Sequence, residues 1–386
     1  MSKGRRGRFE QTDLWVAGEG EYHTYRIPAM VVTTKGTILA FCEGRKFHSH
    51  DAGKIDLLVK RSHDHGKTWG DERVAVEDGD MTCGNPCPVV DRSDGTIWLP
   101  FCKNERDDEG TDAILQGKAE RTAWITSSRD DGQTWTEPIE VTAAVKDPSW
   151  TWFATGPGHG IQLGNGRLLI PCNHGRLKGD LPGPGETPPP LDEANRSHAH
   201  VMLSDDGGVN WRIGGIVDEG TDESAVVETA DNAVYLNCRN RRDPSLAPYR
   251  RARAWSHDSG ESFGEVGWED SMVEPPCQGS LVRCTTEQVQ DRNRILFANP
   301  ASTEGPDGGH GGRRRLTVRL TYDECRSWPV SRLVHDGPSA YSDLAVAHDG
   351  TINCLYERGD RGLPYDRLAL ARFDLEWLTR GEDLLN

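Results

Sequence analysis

Asp94-Gly95-Thr96-Ile97-Trp98 is a tight turn leading into a short β-branched and apolar strand, and the chain carries six versions of this phrase. The others are Lys35-Gly36-Thr37-Ile38-Leu39, Asn165-Gly166-Arg167-Leu168-Leu169, Asp231-Asn232-Ala233-Val234-Tyr235, Arg292-Asn293-Arg294-Ile295-Leu296 and Asp349-Gly350-Thr351-Ile352-Asn353. With Ile38, Ile97, Leu168, Val234, Ile295 and Ile352 as markers, the spacings are 59, 71, 66, 61 and 57 residues. A hairpin at so even a spacing in 386 residues predicts six units of about 64 residues each, enough for four strands apiece. Radial repetition of four-stranded antiparallel sheets is a β-propeller, so the expected fold is an all-β, six-bladed propeller. It should occupy residues 1–386 as one domain, with 1–12 as a flexible N-terminal tail.

A second phrase interleaves with the first. Ser62-His-Asp64-His-Gly66-Lys-Thr68-Trp69 has the form S-x-D-x-G-x-T-W, and it recurs at Ser128–Trp135 and Ser204–Trp211. Degraded copies stand at Ser256–Phe263 and Thr321–Trp328. In such an Asp-box turn the Asp accepts backbone N–H bonds, the Gly takes a positive φ and the Trp packs beneath. These are structural turns first, and five of them in phase with the hairpins reinforce the propeller.

Composition narrows the function. Gly (43) and Pro (22) are abundant, and the 12 Trp outnumber Tyr and Phe at 8 each, as suits a turn-rich β protein. A net charge of −16 argues against nucleic acid or an anionic membrane as main partner, and no apolar run reaches the length of a membrane span. The ten Cys show no scaffold spacing, and no apolar stretch follows the basic Met1–Arg8. We therefore expect reduced thiols, no signal peptide and a cytoplasmic protein. Cys83-x-x-x-Cys87, His48-Ser-His50 and Ser197-His-Ala-His200 lack the partner spacing of a metal site, so no metal or other cofactor is expected.

The hairpin register also acts as a ruler. Arg26, Asn85, Glu223 and Tyr341 stand eleven or twelve residues before their markers, and Glu43, Arg239 and Glu357 stand five after theirs. The start of one antiparallel strand and the end of the next share an edge, so these residues should emerge on one face. Arg45 lies two beyond Glu43, and Asp51 and Arg313 fall in the crossings over that face; the Asp boxes fall on the opposite one. Strand ends meet water and are polar for that reason alone. That does not explain why arginines gather on one face of an acidic chain, which points to an anionic ligand held by guanidinium forks.

Tyr25-Arg26-Ile27-Pro28, the five Asp boxes and Gly337-Pro-Ser-Ala-Tyr341-Ser-Asp-Leu344 together resemble the exo-α-sialidases of bacterial and animal type, over residues 20 to 360. The resemblance implies hydrolysis of terminal sialic acids from glycoconjugates, with sialylated glycans as partners. By the same resemblance Arg26, Arg239 and Arg313 form a triad for the substrate carboxylate, Tyr341 is the nucleophile and Glu223 its base. Asp51 is the general acid/base, Glu357 holds Arg26, and Arg45 stands near the sugar ring. Arg313 is chosen over Arg314 by its three-residue distance from Leu316, and Asp51 over Asp56 because Asp56 lies inside an apolar strand. His50 and Asn85 are further candidates for the pocket wall, with Glu43 in support. Trp152 would wall the pocket or join the core, and the stretches 179–190 and 305–312 would form loops at its rim.

The surrounding arginines are expected to favour the Tyr341 phenolate, whose neutral form can approach the anionic sugar without repulsion. Two other readings stay open, a trans-sialidase or enzyme for a related nonulosonic acid, and a glycan-binding propeller without activity. Oligomeric state and linkage preference are not legible.

Overall fold

The turn-and-strand phrases each nucleate one hairpin, and in the computed structural model, which describes residues 7–105, 111–177, 179, 181, 196–241, 250–303, 312–360 and 362–385, every hairpin grows into a four-stranded antiparallel blade. Blade 1 runs from the inner strand Thr24–Val32 through Ile38–Arg45 and Ile55–Ser62 to the outer Arg73–Val76. Blade 2 has a broken inner strand, Thr82–Gly84 then Val89–Val90, followed by Ile97–Asn104, Thr122–Ser128 and Ile139–Glu140. Blade 3 comprises Trp150–Thr155 with Ile161–Gln162, then Leu168–Arg176, Arg196–Ser204 and Arg212–Ile216. Blade 4 comprises Thr221–Glu228, Val234–Asn240, Arg250–Ser256 and Gly267–Val273.

The last two blades share a strand. The 17-residue Val330–Val346 pairs through residues 330–338 with Arg314–Thr321 as the outer strand of blade 5, and through 339–346 with Ile352–Arg358 as the inner strand of blade 6. Blade 5 is completed by Ser280–Thr285 and Arg294–Pro300. Neighbouring inner strands touch from blade 1 through blade 6, and the inner strand of blade 6 packs back on that of blade 1, which closes the ring. Each blade is covered on both faces, so its middle strands read as continuous apolar runs. Ile38–Arg45 is buried along its whole length. Phe41, Phe101, Phe297 and Phe373 are fully buried between blades, each contributing about 1.5–3 kcal/mol of transfer free energy.

The expected tail is not one over its last residues. Phe9–Val16 is the outer strand of blade 6, pairing Phe9 with Phe373 and Thr12 with Leu370. Phe9 stacks on Trp377 at 4.3 Å, and Glu10 bonds Arg372 at 2.6 Å. An outermost strand has one face in water, so Glu10, Gln11, Thr12 and Asp13 carry no apolar signal even though their backbone closes the circle.

The Asp boxes have the predicted chemistry. Asp64 accepts from the Thr68 amide (2.9 Å) and hydroxyl (2.7 Å), and Ser62 Oγ accepts from Gly66 N–H (2.9 Å). Asp130, Asp258 and Asp323 likewise accept from a backbone amide and a hydroxyl four residues on, and Asp206 from the backbone and side-chain amides of Asn210. Ser62 lies opposite Ile38 and Ile55 opposite Arg45, so the boxes sit at the far end of the blades from Arg45. All ten cysteines are free, nine of them buried.

Candidate active site

Inner strands would normally send alternate side chains to opposite sides; four of them break register where they reach the arginine-bearing face. The shifts fall between Arg26 and Ala29, Trp150 and Phe153, Thr221 and Ser224, and Ser339 and Ser342. Each such bulge re-aims the residues inside it, and Trp152, Glu223 and Tyr341 lie within theirs, with Arg26 at the rim of the fourth. Ile27 and Asn85 both take φ +57°, and for β-branched Ile27 that is a strained backbone held by its surroundings. The holder is Glu357: its carboxylate accepts from Ile27 N–H (3.1 Å), Tyr341 N–H (3.1 Å), Arg26 Nε (2.9 Å) and Arg26 Nη2 (3.3 Å).

These turns of backbone open a cleft of about 510 Å³ lined by Arg26, Asp51, Asn85, Glu223, Arg239, Arg313 and Tyr341. At its floor Tyr341 donates its phenol proton to Glu223 Oε1. Arg239 Nη1 donates to Glu223 Oε2 (2.8 Å) and to the Tyr341 oxygen (3.2 Å). The guanidinium carbons of Arg26 and Arg313 lie 5.3 and 5.5 Å from the Tyr341 ring centre, so three arginines surround one phenol. Arg313 donates to the Pro276 carbonyl (2.8 Å) and to the Tyr365 hydroxyl (3.4 Å), and Arg26 stacks over the Tyr365 ring at 4.0 Å. Arg313, not Arg314, is the residue that reaches the cleft.

Arg239 and Arg313 do favour the Tyr341 phenolate, as expected, but they are not the strongest influence on it. Burial, reinforced by the Glu223 charge, pushes the Tyr341 hydroxyl well above its ordinary value and outweighs Arg239 and Arg313. The tyrosine is therefore a neutral phenol with its proton already directed at Glu223.

Asp51 is the exposed member, its side chain 61% accessible. It takes Arg45 Nη1 at 2.7 Å and Arg26 Nη1 at 3.3 Å. Desolvation by the surrounding protein works the other way, but the Arg45 and Arg26 charges hold it well below the ordinary carboxylate range.

Two expectations change position, those for Arg45 and His50. Arg45 does not wall the cleft; it lies buried behind Asp51, clasped by Glu43 Oε2 at 2.9 and 2.6 Å, and acts on the cleft through Asp51. Glu43 also accepts from Asn85 N–H at 2.8 Å, and so supports both. His50 is exposed, packs on His48 at 4.6 Å and does not line the cleft, since neighbours in the crossing loop face apart. Trp152 does line it, bonded to Asn173 Oδ1 at 3.0 Å under the Arg121 guanidinium. The stretch 182–190 and residues 305–311 lie outside the described residues. Among the described residues no group of His, Cys, Asp and Glu is placed to hold a metal, and no helix is long and apolar enough to cross a membrane.

Asn173, His174, Asp222, Arg241 and Tyr365 escaped the sequence reading. Asn173 stands five residues after Leu168, and Arg241 two beyond Arg239 as Arg45 stands two beyond Glu43, so the same count reaches both. Tyr365 follows the last hairpin in a loop that the ruler does not measure.

A family model described as a BNR repeat-like domain matches residues 36–354. An exo-alpha-sialidase of Aspergillus fumigatus is 32% identical over 394 residues, covering 93% of this chain and 86% of that protein. The chain belongs to the exo-α-sialidase family. Human sialidase-3 is also 32% identical, over 88% of this chain and 86% of its own. Among solved structures, the Hadza microbial sialidase Hz136 superposes with a TM-score of 0.80 at 27% identity, covering 95% of this chain and 69% of that one. A Trypanosoma rangeli sialidase carrying 2,3-difluorosialic acid as a covalent intermediate superposes at 0.73 with 21% identity, over 94% and 58% of the two chains. The sialidase fold thus extends across the whole ring of six blades.

Proposed function

We propose that this exo-α-sialidase removes terminal α-linked sialic acids from glycoconjugates with retention, through a glycosyl–Tyr341 intermediate. The observation that carries the reading is the Tyr341–Glu223 hydrogen bond inside a ring of three arginines. Arg26, Arg239 and Arg313 bind the substrate carboxylate, and their fixed charges stabilise it as the anomeric carbon becomes oxocarbenium-like. Tyr341 attacks that carbon while its proton passes to Glu223 Oε1, and Arg239, already bonded to both oxygens, follows the charge as it moves.

Asp51 supplies the proton to the leaving oxygen and then takes one from the incoming water, which gives net retention. It is ionised against Arg45 and Arg26. A substrate carboxylate competes for the same Arg26 Nη1 and offsets the Arg26 charge, which moves Asp51 toward the protonated form the acid step needs, while Arg45 remains beside it. Asn85 and Trp152 wall the cleft. We also place the protein in a reducing, cytoplasmic setting, a reading supported by ten unpaired thiols; recovery of the native protein from a secreted fraction would overturn it.

The test is fluorophore release from a methylumbelliferyl α-sialoside by the wild type, Tyr341→Phe and Asp51→Ala. Turnover by the wild type, with at least about a hundred-fold loss in Tyr341→Phe at unchanged melting temperature, is the expected result. Full activity in Tyr341→Phe removes that residue as nucleophile.

A further inference from the structure

Two of the three cleft arginines and the nucleophile strand share one support that lies outside the cleft. The segment from Glu274 to Gln278 links blade 4 to blade 5 and passes behind Tyr341. Cys277 packs with Ile27, Ala340 and Tyr341 in one buried cluster. Pro276 offers its carbonyl to Arg313 Nη2 at 2.8 Å. Gln278 fixes Ser342, next to the nucleophile, by accepting from its N–H and donating to its carbonyl, each at 3.0 Å. Glu274 Oε1 accepts from the N–H of Asn240, next to Arg239, at 2.8 Å.

This segment is itself tied down by one side chain. Arg251, on the third strand of blade 4 and without solvent exposure, donates Nη1 to both Glu274 Oε2 and the Cys277 carbonyl. Its other arm, Nε, is set by Asn237 Oδ1 at 2.6 Å. Glu274 is likewise fully buried. The pair spans the segment from its first residue to the residue beside the Arg313 contact.

We infer that the buried Arg251–Glu274 pair is a positioning device for catalysis: it sets Arg239 and Arg313 at the spacing that grips the substrate carboxylate. The inference rests on the arginine-triad reading above. A buried ion pair is weak evidence for stability, since apolar residues of similar volume often replace one at no cost. Its bonds to three outward partners, Asn237, Asn240 N–H and the Cys277 carbonyl beside the Arg313 contact, give it a geometric task that apolar side chains do not perform.

That difference makes the test. Wild type, Glu274→Gln and the double variant Arg251→Met/Glu274→Leu are compared for melting temperature, for kcat and KM on methylumbelliferyl sialoside, and for binding of the inhibitor DANA. Glu274→Gln keeps the side-chain shape and one acceptor oxygen, so it reports even if the double variant fails to fold. We expect KM and the inhibitor dissociation constant to rise together by about ten-fold in both variants, with kcat within about three-fold of wild type, while the double variant melts close to wild type. Wild-type KM and inhibitor affinity in either folded variant overturn the positioning role. A wild type that neither turns over the sialoside nor binds the inhibitor overturns the underlying function instead.

Discussion

Glu357→Gln probes the frame of the cleft, because one buried carboxylate there makes four bonds. Its oxygens take Arg26 Nε at 2.9 Å, Arg26 Nη2 at 3.3 Å, and the N–H groups of Ile27 and Tyr341 at 3.1 Å each. An amide of the same shape keeps one acceptor and turns its NH2 toward two of those donors. Arg26 is then left with Asp51 at 3.3 Å as its ion-pair partner, and that partner is largely exposed. Removing one side of a buried pair costs about 3–5 kcal/mol. Unfolding entropy of roughly 2.1 cal/mol/K per residue over 386 residues is about 0.8 kcal/mol/K, so the loss converts to a melting temperature lower by about 4–6 °C. Freed from Glu357, Arg26 and the Tyr341 backbone lose their aim together, so kcat/KM should fall by at least about ten-fold. Calorimetry beside methylumbelliferyl sialoside kinetics reads both quantities. Melting within about 1 °C of wild type with kcat/KM unchanged would refute the claim that Glu357 holds the strained Ile27 and the two cleft residues in register.

Two further outcomes follow from the geometry. Asp51→Ala should lose far more activity on a natural sialoside with a poor leaving group than on the aryl sialoside, because only the former needs a proton on its leaving oxygen; equal losses on both would exclude Asp51 as the acid. Burial, with their neighbouring histidines, holds His174 and His200 below the ordinary imidazole range, His200 down to about 3. Below about pH 6.5 the unfolded chain then binds protons that the folded one does not, so stability falls on acidification, by up to ~1.4 kcal/mol per pH unit for each histidine. Urea unfolding between pH 6.5 and 5 measures this slope, and His200→Gln should reduce it; an unchanged slope in that variant would contradict the assignment.

The blades were legible because turn chemistry is local: a Gly or Asn before a β-branched pair marks a hairpin wherever it occurs, and counting from Ile38, Val234 and Ile352 places Arg26, Glu223, Arg239, Tyr341 and Glu357 on one face. What the count cannot see is a bulge. Nothing in Trp150-Thr-Trp152-Phe153 announces the register shift that brings Trp152 to the cleft. Polar Glu10–Asp13 gives no strand pattern because its blade edge faces water, and only pairing with Arg367–Phe373 makes it one. Arg45 was placed on the correct face but at the wrong depth, since residue spacing along a strand says nothing of whether an arginine reaches the ligand or the acid in front of it. Arg251 and Glu274 look like ordinary charges in sequence; only burial and their backbone partners reveal them. The arginine charges that favour the Tyr341 phenolate can be counted in a sequence, whereas the desolvation that outweighs them cannot.

Covalent trapping of the intermediate reveals whether Tyr341 is the nucleophile. Incubation with 2,3-difluorosialic acid, followed by proteolysis and mass spectrometry, should place one sialyl adduct on the peptide containing Tyr341, with none formed in Tyr341→Phe. An adduct on Glu223 or Asp51, or labelling of Tyr341→Phe equal to that of the wild type, would exclude Tyr341 as the nucleophile.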